Sequence, residues 1–254
     1  QPVNDMENGR VYWSNWMGLI DLTSSVQIQR GLGSTSLAVP SAGGTVSVNT
    51  RAAEVDPGSG IKMSIGDNSY QKFTAFHNTG VNELGWSSSF LLGFWQGDGW
   101  RNGMQGEGTT YAFSVGYTPR GGDHEFNFSL IGAGQWHHQA YYGTQLQDYL
   151  DYGPIQGDDY RKFNALYGDY QGEEFSILRN YYNKPLATFN WDWEISSRVT
   201  LATSLYGSAG RGGGTGLRGR GSYGVSPFRE SYAEYLDDHG EWRNPDTTIN
   251  WGVA

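Results

Sequence analysis

The histidine pair in WHHQ (residues 136–139) is the first place in this sequence where metal chemistry could be expected. Imidazole nitrogens bind zinc, but a zinc site needs three or four converging protein ligands. Neighbouring residues of a strand point to opposite faces, and no third ligand is spaced to join His137 and His138. The pattern favours a polar loop base, so we predict no metal ion and no cofactor.

A pair of carboxylates, Asp192 and Glu194, lies two residues apart in ATFNWDWEI (residues 187–195). Two carboxylates across a sugar bond are the machinery of glycosidases. Thr188 and Asn190 continue the same polar row, however, and a wall facing a water-filled lumen explains all four side chains. We therefore predict that Asp192 and Glu194 face a lumen and that the pair is not catalytic.

Two glycine-rich stretches suggest phosphate or RNA binding. RGLGSTS (residues 30–36) lacks the Lys-Ser/Thr ending and the following helix pattern of a phosphate-binding loop. GRGGGTGLRGRG (residues 210–221) is similar to RNA-binding Arg-Gly tracts. The chain has 17 Lys and Arg against 26 Asp and Glu, a formal charge of −9, so a polyanion has no electrostatic reason to bind. We predict no nucleic-acid partner.

The aromatic cluster VYWSNW (residues 11–16) raises three alternatives: a sugar-stacking platform, a membrane-interface belt, or packing inside a domain. Aromatic faces pack well against sugar rings, and an indole N–H also needs a partner. Trp13 and Trp16 are therefore candidate ligand or partner contacts. Four further candidates lie near the base of a long polar segment: Trp136, His137, Tyr141 and Tyr142.

The elements that must position these residues are strands. Aromatic residues make up 15% of the chain and glycine fills 38 positions, which is typical of many short strands joined by turns. The longest apolar run, FLLGFW (residues 90–95), is strand-sized, far below the ~18 residues that a spanning helix needs. The absence of cysteine excludes disulfides and thiolate metal sites.

Alternation of apolar and polar residues marks the individual strands. SVQIQRG (residues 25–31) and GGTVSVNT (residues 43–50) come before a break at EVDPGSG (residues 54–60), where we place a domain boundary. Beyond the break, segments such as TYAFSVGYT (residues 110–118) have one apolar and one small or polar face. A transmembrane barrel and a soluble sandwich both give this alternation, so the pattern leaves the two open.

Two long segments, residues 134–184 and 208–254, interrupt the strand rhythm. Loops of this length are usually functional or disordered. In a barrel they would be extracellular loops, because the periplasmic turns are short. The start of the chain shows no signal-peptide pattern and lies in what resembles domain interior, so we expect a fragment.

Residues 2–51 resemble the second half of the plug domain of TonB-dependent outer-membrane receptors, in particular the Bacteroidota group that includes the Sus-type nutrient importers. VQIQRGLGS and GGTVSVNTR stand where that family has its Arg-Gly strand motif and its closing Gly-Gly strand. GDNSYQKFTAFHNTG, GWSSSFLLGFWQGDGWRNG and HEFNFSLIGAGQWHHQ resemble the first barrel strands of the same group. The resemblance extends to about residue 220 and implies an all-β fold: a partial transmembrane antiparallel β-barrel with the remnant of an internal plug.

The resemblance also implies a division of the chain and a set of partners. Residues 1–58 would be the C-terminal half of the plug, and residues 59–254 the N-terminal part of the barrel with long extracellular loops. A complete plugged barrel has about 22 strands, more than this chain can hold. The implied partners are the TonB energy-coupling complex, outer-membrane lipid, a small-molecule, glycan or peptide ligand, and a surface lipoprotein lid of the Sus type.

The function implied is TonB-dependent import of a nutrient, whether glycan, peptide or chelate, across the outer membrane of a Gram-negative bacterium of the Bacteroidota. The resemblance thus also implies that there are no catalytic residues and that the protein is not an enzyme. Arg30 matches the family's arginine that holds the plug to acidic residues of the barrel wall, which makes it the expected plug-barrel latch. Trp13 and Trp16 would then be plug core or ligand floor. Two alternatives remain: a receptor-fold structural subunit of a larger outer-membrane complex without transport, and a secreted glycan-binding β-sandwich.

Overall fold

A single antiparallel wall of strands dominates the structure, a computed structural model that describes residues 9–16, 23, 25–31, 43–50, 52–140, 144–216 and 244–252. The strands in chain order are β1 (Ser25–Arg30), β2 (Gly44–Asn49), β3 (Gly58–Ile65), β4 (Gln71–Asn78), β5 (Trp86–Gly97), β6 (Gly106–Tyr117), β7 (His124–His138), β8 (Tyr167–Tyr170), β9 (Glu173–Ser176), β10 (Arg179–Asn183), β11 (Leu186–Ser196), β12 (Val199–Ser208), β13 (Arg211–Gly214) and β14 (Ile249–Asn250). Strands β3 to β7 and β10 to β13 form the wall.

The wall is seven strands wide, because two of its strands are each divided into an upper and a lower half. Strand β7 pairs with β11 along its first half and with β10 along its second. The pairs Tyr182 with Gln135 and Leu186 with Ile131 keep one register across the gap between them. Pro185 lies in this gap and has no N–H to donate to the ladder. At the edge of the wall, β12 pairs with β11 and β13 pairs with β10, so the edge strand is divided in the same way.

The two faces of the wall differ as the dyad pattern predicts. On β5, Phe90 and Leu92 are 49% and 66% exposed, whereas Ser89 and Leu91, which alternate with them, are buried. The apolar set forms what we call the outer face, and the small and polar set forms the inner face. In the described part of the chain no second sheet buries the outer face, as a sandwich would require. An exposed apolar face is what a transmembrane barrel presents to lipid.

The inner face carries the N-terminal elements. Strands β1 and β2 pair with each other along their whole length, from Ser25 with Asn49 to Arg30 with Gly44. Two short 3-10 helices, Trp13–Trp16 and Ala52–Glu54, contact the wall at β7 and at β5 and β6 respectively. Ala52 is fully buried there. The first wall strand, β3, begins at Gly58, but the division of the chain at residue 58 into two domains stays a prediction.

The two ends of the wall also differ. At one end the connections are short: residues 79–85, 118–123 and 197–198. At the other end residues 139–178 separate β7 from β10. The sequence placed the whole of 134–184 in a loop, and this is wrong at both margins. Residues 134–138 and 179–183 extend the wall, because their polar side chains still alternate and their backbones still pair.

The long connection folds on itself into a unit that we call the cap (described residues 144–178, with β14). It contains α1 (Leu146–Asp151), α2 (Gly153–Gln156), a 3-10 turn (Tyr160–Lys162) and the β8–β9 hairpin, and β14 pairs with β8 in parallel. Phe163 is fully buried, with the rings of Tyr149 and Tyr152 at 5.8 and 6.3 Å between centroids. Among the described residues no helix is long and apolar enough to cross a membrane.

Candidate ligand-binding face

An aromatic cavity of about 370 Å³ opens on the inner face at the cap end of the wall. Trp95 and His137 enter it from β5 and β7, and Tyr70 and Trp100 from the adjoining connections. Flat aromatic faces beside a few polar groups are what sugar rings and aromatic ligands pack against. We call this the aromatic cavity.

A glycine makes room for the largest ring of the aromatic cavity. Gly108 lies on β6 opposite Trp95. A Cβ atom at Gly108 would lie 2.5 Å from the indole nitrogen of Trp95 and 2.8 Å from Cβ of Gln135. The indole of Trp95 therefore reaches over the neighbouring strand only because residue 108 has no side chain.

A second cavity, of about 470 Å³, lies between the β1–β2 pair and the wall. Trp13 and Trp16 line it on one side, and polar wall residues such as Asn127 and Thr188 on the other. Trp13 is 63% exposed, and the indole N–H of Trp16 is buried without a hydrogen-bond partner in the described structure. Plug packing and ligand contact stay predictions for both tryptophans.

A cluster of hydrogen-bonded amide side chains, which we call the amide cluster, fixes the cap to the β5–β6 connection. Asn164 is 1% exposed, and its side chain donates to the backbone oxygen of Asn102 at 2.8 Å while accepting from the N–H of Leu166 at 3.1 Å. Gln156 bonds both backbone groups of Asn164, at 2.9 and 3.0 Å. Since buried polar groups are costly when unpaired, this fully paired set holds the cap in one position over the wall.

Acidic side chains gather in the cap around a cavity of about 510 Å³. Partial burial of the carboxyl of Glu174, together with the nearby charge of Asp98, raises its pKa, although the residue as a whole is exposed. Burial and the charges of Glu174 and Asp246 raise the pKa of Tyr167. The cavity therefore favours neutral or positive groups. In the described ranges, no group of three or more His, Asp or Glu side chains is arranged to hold a metal ion.

Two residues that the sequence grouped together lie on opposite faces. His137 is on the inner face in the aromatic cavity, with its ring edge-on to Tyr182 at 6.3 Å. Trp136 is on the outer face, where its indole N–H donates to Glu107 at 2.9 Å and the guanidinium of Arg179 lies 4.1 Å from its ring centre. Of these two residues, His137 lines the aromatic cavity and Trp136 does not; their predicted role as ligand or partner contacts stays a prediction.

The remaining predicted residues are distributed over the chain. Tyr141 and Tyr142 lie outside the described residues. Arg30 is exposed at the end of β1. Asp192 and Glu194 alternate onto the same face as Asn190, which lines the cavity beneath β1 and β2. Their role as lumen-facing residues, and that of Arg30 as a latch, stay predictions.

Sequence reasoning missed Trp95, Trp100 and Tyr70. A signal for Trp95 was present in WSSSFLLGFWQ (residues 86–96): it shares its parity with Ser87, Ser89, Leu91 and Gly93, so it is the one aromatic ring on that face of the strand. Tyr70 and Trp100 lie in connections, where no periodicity marks a direction. Only the folded chain brings them to Trp95.

The chain was compared with known proteins. No protein-family model matches it, and no curated protein matches it. Among solved structures it is similar to the ferric-catecholate import receptor Fiu from E. coli K12, crystallised in its open form, with a TM-score of 0.55 and 13% sequence identity. The match covers 75% of this chain and 29% of that receptor. This likeness confirms the predicted fold class, an all-β, partial transmembrane antiparallel barrel with the remnant of an internal plug.

Proposed function

We propose that this chain is part of an outer-membrane receptor of a Gram-negative bacterium that imports a ligand by a TonB-dependent mechanism, and that it acts in transport rather than catalysis. The observation that carries this is the distribution of side chains over the two faces of the wall, which is the reverse of that in a soluble protein. Apolar side chains are exposed on the outer face, and the β1–β2 pair lies on the inner face of small and polar residues. A soluble protein would bury the apolar side, whereas a barrel presents it to lipid. The receptor that the fold resembles is an import receptor.

The proposed path of the ligand begins beneath the cap and ends at the plug remnant. The aromatic cavity lies at the cap end of the wall, and the polar cavity with Trp13 and Trp16 lies nearer the short turns. We propose that residues 1–58 are the plug and residues 59–254 the first part of the barrel. A ligand bound at Trp95 then lies between the cap and the plug. Energy delivered by the TonB complex would then release it inward.

The finer identity of the receptor is proposed on the sequence resemblance alone. The plug motifs VQIQRGLGS and GGTVSVNTR favour the Sus-type group of the Bacteroidota, with a surface lipoprotein as lid and a glycan or peptide as ligand. Arg30 is proposed as the latch between plug and wall. The structurally similar receptor imports a ferric catecholate, and an iron chelate is therefore a third ligand class to test.

Uptake by intact cells tests the import function. A strain that lacks the gene for the full-length protein is complemented with the wild type or with a Trp95→Ala variant and supplied with one of three labelled probes: a starch oligosaccharide, a peptide pool or a ferric catecholate. We expect energy-dependent uptake of one probe, with half-saturation raised about tenfold by Trp95→Ala because a stacking face is lost.

The matched control is Phe94→Ala, which removes the neighbouring ring on the outer face. It is expected to leave half-saturation unchanged. If no probe depends on the gene while its deletion dissociates an outer-membrane complex, the protein is the structural subunit instead.

A further inference from the structure

The outer face carries a basic cavity of about 490 Å³ at the cap end of the wall, which the import function does not use. It is lined by Glu107, Trp136, Arg179, Tyr181, Asn183 and Arg211, among others. These residues are opposite one another in register: Glu107 with Trp136, Trp136 with Tyr181, and Asn183 with Arg211. Side chains of paired residues share a face, and Arg179, Tyr181 and Asn183 alternate onto one face of β10. All six therefore lie on the side of the exposed apolar residues.

The apolar band continues up to this cavity. Phe94, 41% exposed, also lines it. Phe128 and Trp136 lie on the same face of β7, eight residues apart, with Phe128 among the exposed apolar residues and Trp136 at the cap end. A ligand in the basic cavity therefore has apolar surface on one side and polar surface towards the cap. This is the position of the membrane interface, where Trp and Tyr side chains are enriched.

The charges of the cavity favour an anion. Arg179 stacks on Trp136 with 4.1 Å from its guanidinium carbon to the ring centre, and Arg211 is exposed on β13. Neither arginine is ion-paired with a carboxylate of the described residues. The one carboxylate in the lining, Glu107, accepts the indole N–H of Trp136 at 2.9 Å. The lining thus contains two guanidinium groups and one carboxylate, although the chain as a whole has a formal charge of −9.

Neighbouring contacts hold the donors in place. The hydroxyl of Tyr111 donates to the side-chain oxygen of Asn183 at 3.2 Å, which turns the amide nitrogen of Asn183 away from Tyr111. The stacking of Arg179 on Trp136 limits its rotamers. A guanidinium held in this way presents a fork of N–H donors that matches the oxygens of a phosphate group.

We propose that this basic cavity binds the phosphate headgroup of an anionic lipid in the outer leaflet, with the acyl chains lying along Phe94 and the apolar band. A free anion would gain nothing from the apolar side, and a zwitterionic lipid would place a cationic group beside its phosphate, which the two arginines would repel. The proposal rests on the outer-membrane placement proposed above.

Lipid retention by the full-length protein in detergent tests the proposal. The protein is incubated with dipalmitoyl phosphatidic acid or with dipalmitoyl phosphatidylcholine, which has the same acyl chains, and the bound lipid is measured by native mass spectrometry. We expect preferential retention of phosphatidic acid, about tenfold weaker for each arginine removed in Arg179→Gln and Arg211→Gln because a charged hydrogen bond is lost. Glu107→Gln should strengthen retention, since it removes the opposing charge and can still accept from Trp136.

The control is Arg198→Gln, in the tight turn at the opposite end of the wall; it should retain lipid as the wild type does. Heat-modifiable gel migration checks that each variant is folded. Equal retention of the two lipids, unchanged retention in the double arginine variant, or full displacement by millimolar inorganic phosphate would overturn the lipid assignment. A wild type that folds only outside lipid would instead overturn the proposed membrane placement.

Discussion

Phe189 and Asn190 are neighbours on β11 that point to opposite faces of the wall. An arginine introduced at each position in turn therefore distinguishes the face that meets lipid from the face that meets the lumen. Phe189 is 37% exposed and its ring lies 6.4 Å from that of Phe126. Asn190 lines the polar cavity of about 470 Å³ beneath β1 and β2. We expect Phe189→Arg to damage the protein and Asn190→Arg to be tolerated.

The magnitude follows from the two environments. An arginine on the lipid face costs roughly 2–4 kcal/mol near the bilayer midplane, and loss of the ring pair adds about 0.5–1.5 kcal/mol. At residue 190 the guanidinium enters a cavity with room for it, and a surface-like change of about 0.5 kcal/mol or less is expected. The two variants should therefore differ by about 2–5 kcal/mol, which is more than tenfold in the folding equilibrium.

The assay is urea-dependent folding of the full-length protein into lipid vesicles, followed by heat-modifiable migration. Phe189→Arg should shift the midpoint to lower urea, with Asn190→Arg close to the wild type. Equal midpoints, or a larger loss for Asn190→Arg, would mean that the faces are reversed or that β11 never meets lipid.

Two further predictions concern the cap. Asn164→Ala leaves the backbone oxygen of Asn102 without its partner, which costs about 1–3 kcal/mol. Limited proteolysis of the cap should therefore be faster in this variant. An unchanged proteolysis rate would show that the amide cluster does not hold the cap. The raised pKa of Glu174 means that the folded cap keeps a proton after the unfolded chain has lost it, so cap stability should fall as the pH rises from the ordinary value of 4.5 through the raised pKa. Glu174→Gln should reduce this loss, which would be measured as a smaller fall in hydrogen-exchange protection factors of the cap over the same pH range; an identical pH profile in both proteins would refute it.

Much of the wall could be predicted from the sequence, because a period of two is a direct consequence of strand geometry. The alternation in residues 187–195 placed Phe189 and Asn190 on opposite faces, and the structure has them there. The same alternation could not decide between barrel and sandwich, since each has one apolar face. That choice depended on the resemblance of the plug motifs and on the exposure of Phe90 and Leu92 in the folded chain.

The candidate site was harder to predict, because its residues come from elements far apart in the sequence. Trp95 meets Tyr70 and Trp100 only through the positions of two connections. The cap was expected to be a polar loop, yet the contacts of Phe163 and Asn164 give it a core of its own. Hydrogen bonds between amides leave no periodic trace in a sequence.

Lipid and water accessibility along β11 tests the central claim, that this wall is part of a transmembrane barrel, most directly. The chain contains no cysteine, so single spin-labelled cysteines can be placed in turn at residues 188–193 of the full-length protein in lipid, provided that native cysteines elsewhere are replaced. We predict oxygen accessibility that peaks at 189, 191 and 193, and low oxygen accessibility at 188, 190 and 192. A uniform profile, or peaks at the even positions, would contradict the account.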